Sequence, residues 1–418
     1  MQRIEVCGGK PLRGTVSVGG AKNSVLPILA ATLINGGENT LHNCPDLRDV
    51  DSAINILRHL GCTVEREGHT IRVDSSSITR CDVPDKLMRE MRSSVIFLGP
   101  ILARCGEAEL SFPGGCELGP RPIDLHLDAL RRLGAEITEH HGRIRCTARD
   151  LRGRDILLAM PSVGATENAM LAATACDGVT RIINCAREPE ILDLQRFLEK
   201  CGASVRGAGT GEILVTGGGV RCDVKHRILP DRIETATYLC GAAACGGEIT
   251  VTECEPSHVG TVLAQLAEGG ARIQTAGRTV RLQCRRRLEA MGPVRTMPYP
   301  GFPTDAQAQL MAAACTARGT TVFVENIFEN RYRHAAELLR MGAKIRTSGR
   351  VAVVEGTEQL RAADVTCTDL RGGAALVIAA LAAEGCSTIR EIHHIDRGYE
   401  KIENSFAALG GEIRRAEE

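Results

Sequence analysis

One short pattern recurs along this chain: a glycine, usually between an apolar and a small residue, with a short alternating stretch after it. It stands at Leu60-Gly61-Cys62, Leu133-Gly134-Ala135, Cys201-Gly202-Ala203, Gly269-Gly270-Ala271, Met341-Gly342-Ala343 and Leu409-Gly410-Gly411. The central glycines return about every seventy residues, each where glycine closes a helix at C′. A second series, Gly37, Gly106, Gly178, Gly247, Gly319 and Gly385, keeps the same period. It marks the end of another helix and the start of an alternating strand. Two registers of one period predict six copies of one unit, each reading helix, strand, loop, helix, strand. Units this small must stack to bury their apolar faces. The length of 418 residues fits two bodies of three units with a cleft between them.

Within a unit the first helix is small and apolar, as in Leu29–Leu33 and Leu171–Thr174. The second is amphipathic: Ile191, Leu194, Leu198 and Cys201 share one face, and Pro189 falls in the first turn, where proline is tolerated. Acidic and basic residues balance at 51 each and aromatics are 3%, which gives no footprint for nucleic acid. No apolar run reaches the ~18 residues of a membrane span, and the N-terminus has no signal-peptide pattern. The 18 cysteines are scattered, with no CxxC pair. A zinc site is not expected. A reducing cytoplasm is, with most cysteines serving as small core residues.

The chemistry gathers at two places in each unit. The first helix begins with polar residues: Lys22-Asn23, Arg92, Ser162-Val163-Gly164, Asp231-Arg232, Thr304-Asp305 and Asp369-Arg371. Helix N-termini offer free N–H groups to anions, although ordinary capping explains each alone, and Thr304 with Gln307 fits a capping box. The second place is the loop before the second helix. Phe112–His126 (FPGGCELGPRPIDLH) holds one thiol, Cys116, among glycines and prolines, with Arg121 five residues on and Asp124 as the expected cap of the next helix. This reads as a lid over an anionic substrate. Arg331 and Arg397 occupy matching loops. Lys22, Arg92, Arg121, Arg331, Arg371 and Arg397 together would bind a multiply charged anion in spite of a net charge of zero.

Ten segments in order, VGGAKNSVLPIL, MREMRSS, FPGGCELGPRPIDLH, PSVGATEN, REPEI, LPDRIETAT, FPTDAQAQ, ENIFENR, TDLRGG and HIDRGYEKIE, make the chain resemble the bacterial UDP-N-acetylglucosamine 1-carboxyvinyltransferases. The likeness runs from Ile4 to the C-terminus. It implies a two-domain inside-out α/β barrel of six βαβαββ repeats, three per domain, with the active site in the interdomain cleft. Residues 22–229 would form one domain, and residues 1–21 with 230–418 the other. The implied reaction moves enolpyruvyl from phosphoenolpyruvate to the 3′-hydroxyl of UDP-N-acetylglucosamine and releases phosphate, in the first committed step of peptidoglycan synthesis. No cofactor or metal is required.

By the same resemblance Cys116 is the acid and Asp305 the base. Lys22, Arg121 and Arg397 stand on the phosphate side, and Arg331 and Arg371 on the carboxylate side. Asn23, Arg92, Arg121, Pro122, Ile123, Asp124, Leu125, Ser162, Val163, Gly164, Asp305 and Ile327 match sugar-nucleotide positions, and Thr304 is a further substrate-binding position. Met160-Pro161 departs from the pattern, because some members carry a basic residue there, and leaves one diphosphate contact open. Two related alternatives are the shikimate-pathway enolpyruvyl transferase, which is not expected to show PGGC or HIDRGYE, and a catalytically silent or regulatory paralogue. Intact Lys22, Cys116, Asp305 and Arg397 argue against the second. A thiol hydrolase would need His126, expected on a helix surface, to activate Cys116.

Overall fold

The computed structural model describes residues 2–91, 93–112, 123–218 and 223–417. Arg92, Cys116, Arg121 and Pro122, and with them residues 113–122 of the expected lid, lie outside the described residues.

The third repeat shows how the unit is built. Asp155–Leu157 leads into the helix Val163–Ala173, the strand Val179–Ile183, the helix Pro189–Lys200 and the strands Ser204–Arg206 and Glu212–Thr216. Val179–Ile183 pairs in parallel with Asp155–Leu157 and antiparallel with Glu212–Thr216. The parallel pair requires a crossover, which the Val163–Ala173 helix provides. The repeat is therefore βαβαββ, with a leading strand and a closing hairpin that hydrophobic period alone did not separate. The described strands form six four-stranded sheets of this kind.

The described residues divide into two compact units, one of residues 20–229 and the other of residues 2–19 with 230–417. In the first, Val224–Arg227 comes back to lead the sheet of Glu38–His42. In the second, Arg13–Ser17 leads the sheet of Glu248–Thr252. Gln2–Cys7 lies between Cys386–Arg390 and Glu412–Glu417, antiparallel to both.

Each unit has one hydrophobic core, built around the first helices of its repeats. Lys22–Asn35 buries every residue except Asn23, and Leu370–Ala382 buries all but its two ends. A helix apolar on all sides has to lie inside. The second helices cover the core with one face: Pro189–Lys200 buries Ile191, Leu194 and Leu198, with Pro189 at its N-terminus.

Gly61, Gly134, Gly202, Gly270, Gly342 and Gly410 all take positive φ. The period in the sequence is thus a recurring left-handed helix end. In the second series Gly106, Gly178, Gly319 and Gly385 do the same, but in the first and fourth repeats the preceding Gly36 and Gly246 take the positive φ instead of Gly37 and Gly247.

Burial pushes the thiols of Cys44, Cys62, Cys146 and Cys315 up to about 12, as expected of core cysteines. One pair departs from the expectation of free thiols. Cys7 and Cys386 face each other across adjacent antiparallel strands, Cα atoms 4.0 Å apart, and form a disulfide. A pairing between residues 379 apart in sequence has no local signal.

Gly342 separates backbone strain from packing, since its φ is +85° and nothing lies within 4 Å of an added Cβ. Gly342→Ala should lower urea stability by about 1 kcal/mol. Gly20→Ala, whose Cβ would fall 1.8 Å from the Asn43 carbonyl oxygen, should cost several times more. An undisturbed Gly342→Ala would contradict the left-handed helix ends.

Candidate active site

In the unit of residues 2–19 and 230–417, the first helices bring their N-terminal ends together. Asp305 lies in the first turn of Thr304–Ala314. Its Oδ1 accepts from Arg331 Nη2 at 3.0 Å and its Oδ2 from Arg371 Nη2 at 3.2 Å. The Asp305 side chain is 28% exposed, whereas those of Arg331 and Arg371 are 4% and 3% exposed. Arg331 also donates to the Thr304 carbonyl and lies over the Phe328 ring. Arg371 lies over the Tyr399 ring. Arg331 Nε and Arg371 Nη1 are buried and have no hydrogen-bond partner among the described residues.

The neighbouring groups keep the charge on Arg371. Burial opposes the Arg371 charge more than any single neighbour supports it, but Asp305, Tyr399 and Asp231 together outweigh it and raise the pKa. Burial pushes His334 down to about 4, although Asp369 pulls the other way; Arg331 adds to the fall. Burial also pushes Asp369 up, yet the Arg331 charge and the N–H groups of Gly372 and Arg371 bring it below the usual carboxylate range. Asp369 is the N-cap of the helix bearing Arg371.

The expected capping box at Thr304 and Gln307 does not form. Pro303 is the N-cap and Gln307 is buried, with its amide nitrogen turned to the Met311 sulfur. Thr304 instead donates to Glu325 Oε2 at 3.0 Å. Buried Glu325 also accepts from Thr296 Oγ1 and from the N–H groups of Ile327 and Phe328. One carboxylate thereby joins the start of the Asp305 helix to the turn that carries Ile327.

Arg397 ends the short helix Ile392–Arg397 and is half-buried. Its neighbours in HIDRGYE are anchors. Asp396 receives two hydrogen bonds from Arg415, at 2.6 and 3.0 Å. The Tyr399 hydroxyl meets Thr237 at 2.8 Å and Gln309 at 2.9 Å.

In the unit of residues 20–229, Lys22 opens its helix and Nζ lies 2.6 Å from Asp49 Oδ2, both residues buried. Asn23 is half-buried. Ser24 donates to Asp193 Oδ2 at 2.6 Å. Asp193 also meets His226 Nε2 and accepts from the Leu229 N–H, which secures the start of the Lys22 helix. Ser162 is the N-cap of Val163–Ala173 and accepts from the Ala165 N–H. Ile123 is buried and Leu125 half-buried. Asp124 is exposed and stands one place inside its helix, with Ile123 as the N-cap, so the expected cap is displaced by one residue. Met160 is 48% exposed. His126 is buried, contrary to the expected surface position, and meets Asn168.

The sequence reading missed Asp49, Asp193, Asn168, Thr237 and Gln309. Asp49 alone carried a usable signal, as an acid in the first turn of an amphipathic helix. The others become visible only once remote segments are paired.

Over residues 6–406 the chain matches a family model described as EPSP synthase (3-phosphoshikimate 1-carboxyvinyltransferase). It is 49% identical over 415 residues to the UDP-N-acetylglucosamine 1-carboxyvinyltransferase 2 of Caldanaerobacter subterraneus subsp. tengcongensis, covering 99% of this chain and 100% of that protein. To the UDP-N-acetylglucosamine 1-carboxyvinyltransferase 1 of Symbiobacterium thermophilum it is 51% identical over 420 residues, covering 99% and 95%. Among solved structures, the enolpyruvyl transferase NikO from Streptomyces tendae matches with a TM-score of 0.89 and 26% identity over 99% of both chains. An EPSP synthase from Acinetobacter baumannii, with a TM-score of 0.75 and 18% identity over 100% of both chains, shares the fold.

Glu234 gives the site's unit a pH signature. Burial, with Asp231 adjacent, raises its carboxyl to about 7, against the hydrogen bonds from the Tyr238 hydroxyl and the Gly19 N–H. A raised folded value favours the protonated form, so its stabilisation is complete below the ordinary value of 4.5 and is lost as pH rises to about 7. Glu234→Gln, which stays neutral, should escape that loss. The urea stability of wild type should fall relative to the variant across this window by at most about 3 kcal/mol. Parallel pH profiles would contradict the assignment.

Proposed function

The chain belongs to the enolpyruvyl transferase family and, within it, to the UDP-N-acetylglucosamine 1-carboxyvinyltransferases, and on that premise we infer that it transfers enolpyruvyl from phosphoenolpyruvate to the 3′-hydroxyl of UDP-N-acetylglucosamine. Phosphate is the second product, and the step belongs to peptidoglycan synthesis.

The reaction is an addition followed by an elimination. C3 of the enol takes a proton while the 3′-oxygen bonds to C2 and gives up its own, which yields a tetrahedral ketal. C3 then loses a proton, the C2–O bond to phosphate breaks and the enol ether remains. Acid and base must therefore stand on opposite sides of the reacting carbons. Cys116 takes the role of acid and Asp305 that of base. Supporting the latter, the Asp305 carboxylate is held in place by two guanidiniums while its side chain stays 28% exposed.

The observation that carries the substrate reading is the pair of buried arginines with unspent donors, Arg331 Nε and Arg371 Nη1. A buried donor is normally paired, and the carboxylate of phosphoenolpyruvate would pair both. Lys22, Arg121 and Arg397 take the phosphate side. They offset charge as the ketal forms and collapses. Asn23, Arg92, Arg121 to Leu125, Ser162 to Gly164, Thr304, Asp305 and Ile327 hold the sugar nucleotide. We place the reaction in the cytoplasm, where a reducing environment would open the Cys7–Cys386 disulfide to two adjacent thiols. Among the described residues no helix is long and apolar enough to cross a membrane.

Phosphate release should require both substrates together. Release with shikimate 3-phosphate as acceptor would favour the shikimate-pathway activity named by the family model. Cys116→Ser should nearly abolish turnover and Cys116→Asp retain it, because a carboxylic acid still delivers a proton. Equal loss in both would remove proton delivery from Cys116. The epoxide fosfomycin should form one adduct, at Cys116, since burial raises the thiols of Cys81, Cys176 and Cys185 to about 11. Labelling spread over several cysteines, seen by peptide mass spectrometry, would contradict a single activated thiol.

A further inference from the structure

We propose that Asn168 is a positioning residue whose amide keeps the His126 imidazole neutral, with Nδ1 as acceptor and the proton on Nε2. The ligand that this arrangement serves rests on the reading above; the arrangement itself does not.

Asn168 is fully buried in the helix Val163–Ala173. Three neighbours define its amide. The Gly99 N–H, which can only donate, lies 2.8 Å from Oδ1. The Val95 carbonyl, which can only accept, lies 2.9 Å from Nδ2. Oxygen and nitrogen of the amide are therefore assigned by their partners, with no freedom to exchange. The same Nδ2 stands 2.7 Å from His126 Nδ1. An amide nitrogen has two hydrogens: one serves Val95 and the other points at Nδ1. That ring nitrogen must present a lone pair. An imidazolium, or the Nδ1–H tautomer, would set hydrogen against hydrogen in a buried contact.

Two consequences follow for His126. Nδ1 is occupied and Nε2 bears a hydrogen, so the ring is a donor and not a base. This disfavours the thiol hydrolase, in which His126 would take the Cys116 proton. The donor edge also has a defined place. A Cβ on Gly164 would lie 2.8 Å from His126 Cε1 and 3.2 Å from Nε2, so the ring fits there because residue 164 has no side chain. His126 follows Leu125 in sequence and abuts Gly164 in space. Both belong to segments assigned to the sugar nucleotide. A neutral N–H at their junction donates to an acceptor oxygen of that ligand. Gly99 is equally tight, its added Cβ falling 2.6 Å from the Asn168 backbone carbonyl oxygen and 2.8 Å from the side-chain Oδ1, so the amide has little room to turn.

The test uses the full chain labelled with 15N-histidine, with the His126 signals assigned by their loss in His126→Gln. At pH 7 wild type should show a protonated Nε2 and a lone pair on Nδ1. Asn168→Asp, of the same size, turns a carboxylate oxygen toward the ring. It should move a proton onto Nδ1 and raise KM for UDP-N-acetylglucosamine about tenfold, with kcat and KM for phosphoenolpyruvate within about twofold. A wild-type His126 protonated at Nδ1 overturns the proposal, and that spectrum decides it even if the variant does not fold. A folded Asn168→Asp with unchanged tautomer and KM overturns it as well. Wild type with the expected tautomer but no phosphate release from the two substrates supports the positioning role and removes the enzymatic reading instead.

Discussion

The Asp305 carboxylate, held at both oxygens by two nearly buried arginines, is the interaction on which the reading of this molecule depends. Two cations in a dry setting are tolerable because a carboxylate stands between them; removing one member of such a group leaves a buried charge and costs about 3–5 kcal/mol. The surrounding residues serve that arrangement. Asp369 caps the helix of Arg371, Glu325 ties Thr304 to the turn of Ile327, and Tyr399 spreads its ring under Arg371. The N-terminal ends of these helices meet because the helices themselves are apolar on all sides and must pack together in the core.

The repeat explains both what could be read from the chain and what could not. A left-handed glycine at each helix end is a local necessity, so it recurs in the sequence at a fixed interval and reveals six units before any contact is known. The proposed site residues Lys22, Asp305, Arg371 and Arg397 sit in contiguous motifs and were named through resemblance. The described ones lie at helix starts or at the end of a short helix. Gln309 and Asn168 were not legible. Each meets its partners across tens of residues: Asn168 and His126 are 42 apart and Gln309 and Tyr399 are 90 apart. Their polar side chains also sit in buried stretches where an apolar pattern gives no hint of a partner. The capping box at Thr304 failed for a related reason, since a buried carboxylate from a remote strand competes for the same hydroxyl.

The two units anchor their own chain ends in a similar way. In one, the Gly19 N–H is taken by Glu234 and the Gly19 carbonyl receives the Asp231 N–H. In the other, the Leu229 N–H is taken by Asp193 and the Leu229 carbonyl receives the Ala21 N–H. Each crossing segment thus has its backbone satisfied by a carboxylate from within its own unit. The same carboxylate, Asp193, steadies Ser24 beside Lys22 and Asn23. One side chain, Asp193, thus secures both the Leu229 crossing and the start of the Lys22 helix.

The central claim is that Asp305 and Arg371 act as one device. A double-mutant cycle on kcat/KM, with Asp305→Asn, Arg371→Lys and the pair, tests it most directly. Members of a unit are strongly non-additive. The second substitution should therefore cost far less in the presence of the first than it does in wild type. Costs that simply add would mean that the two residues work independently, and would contradict the account.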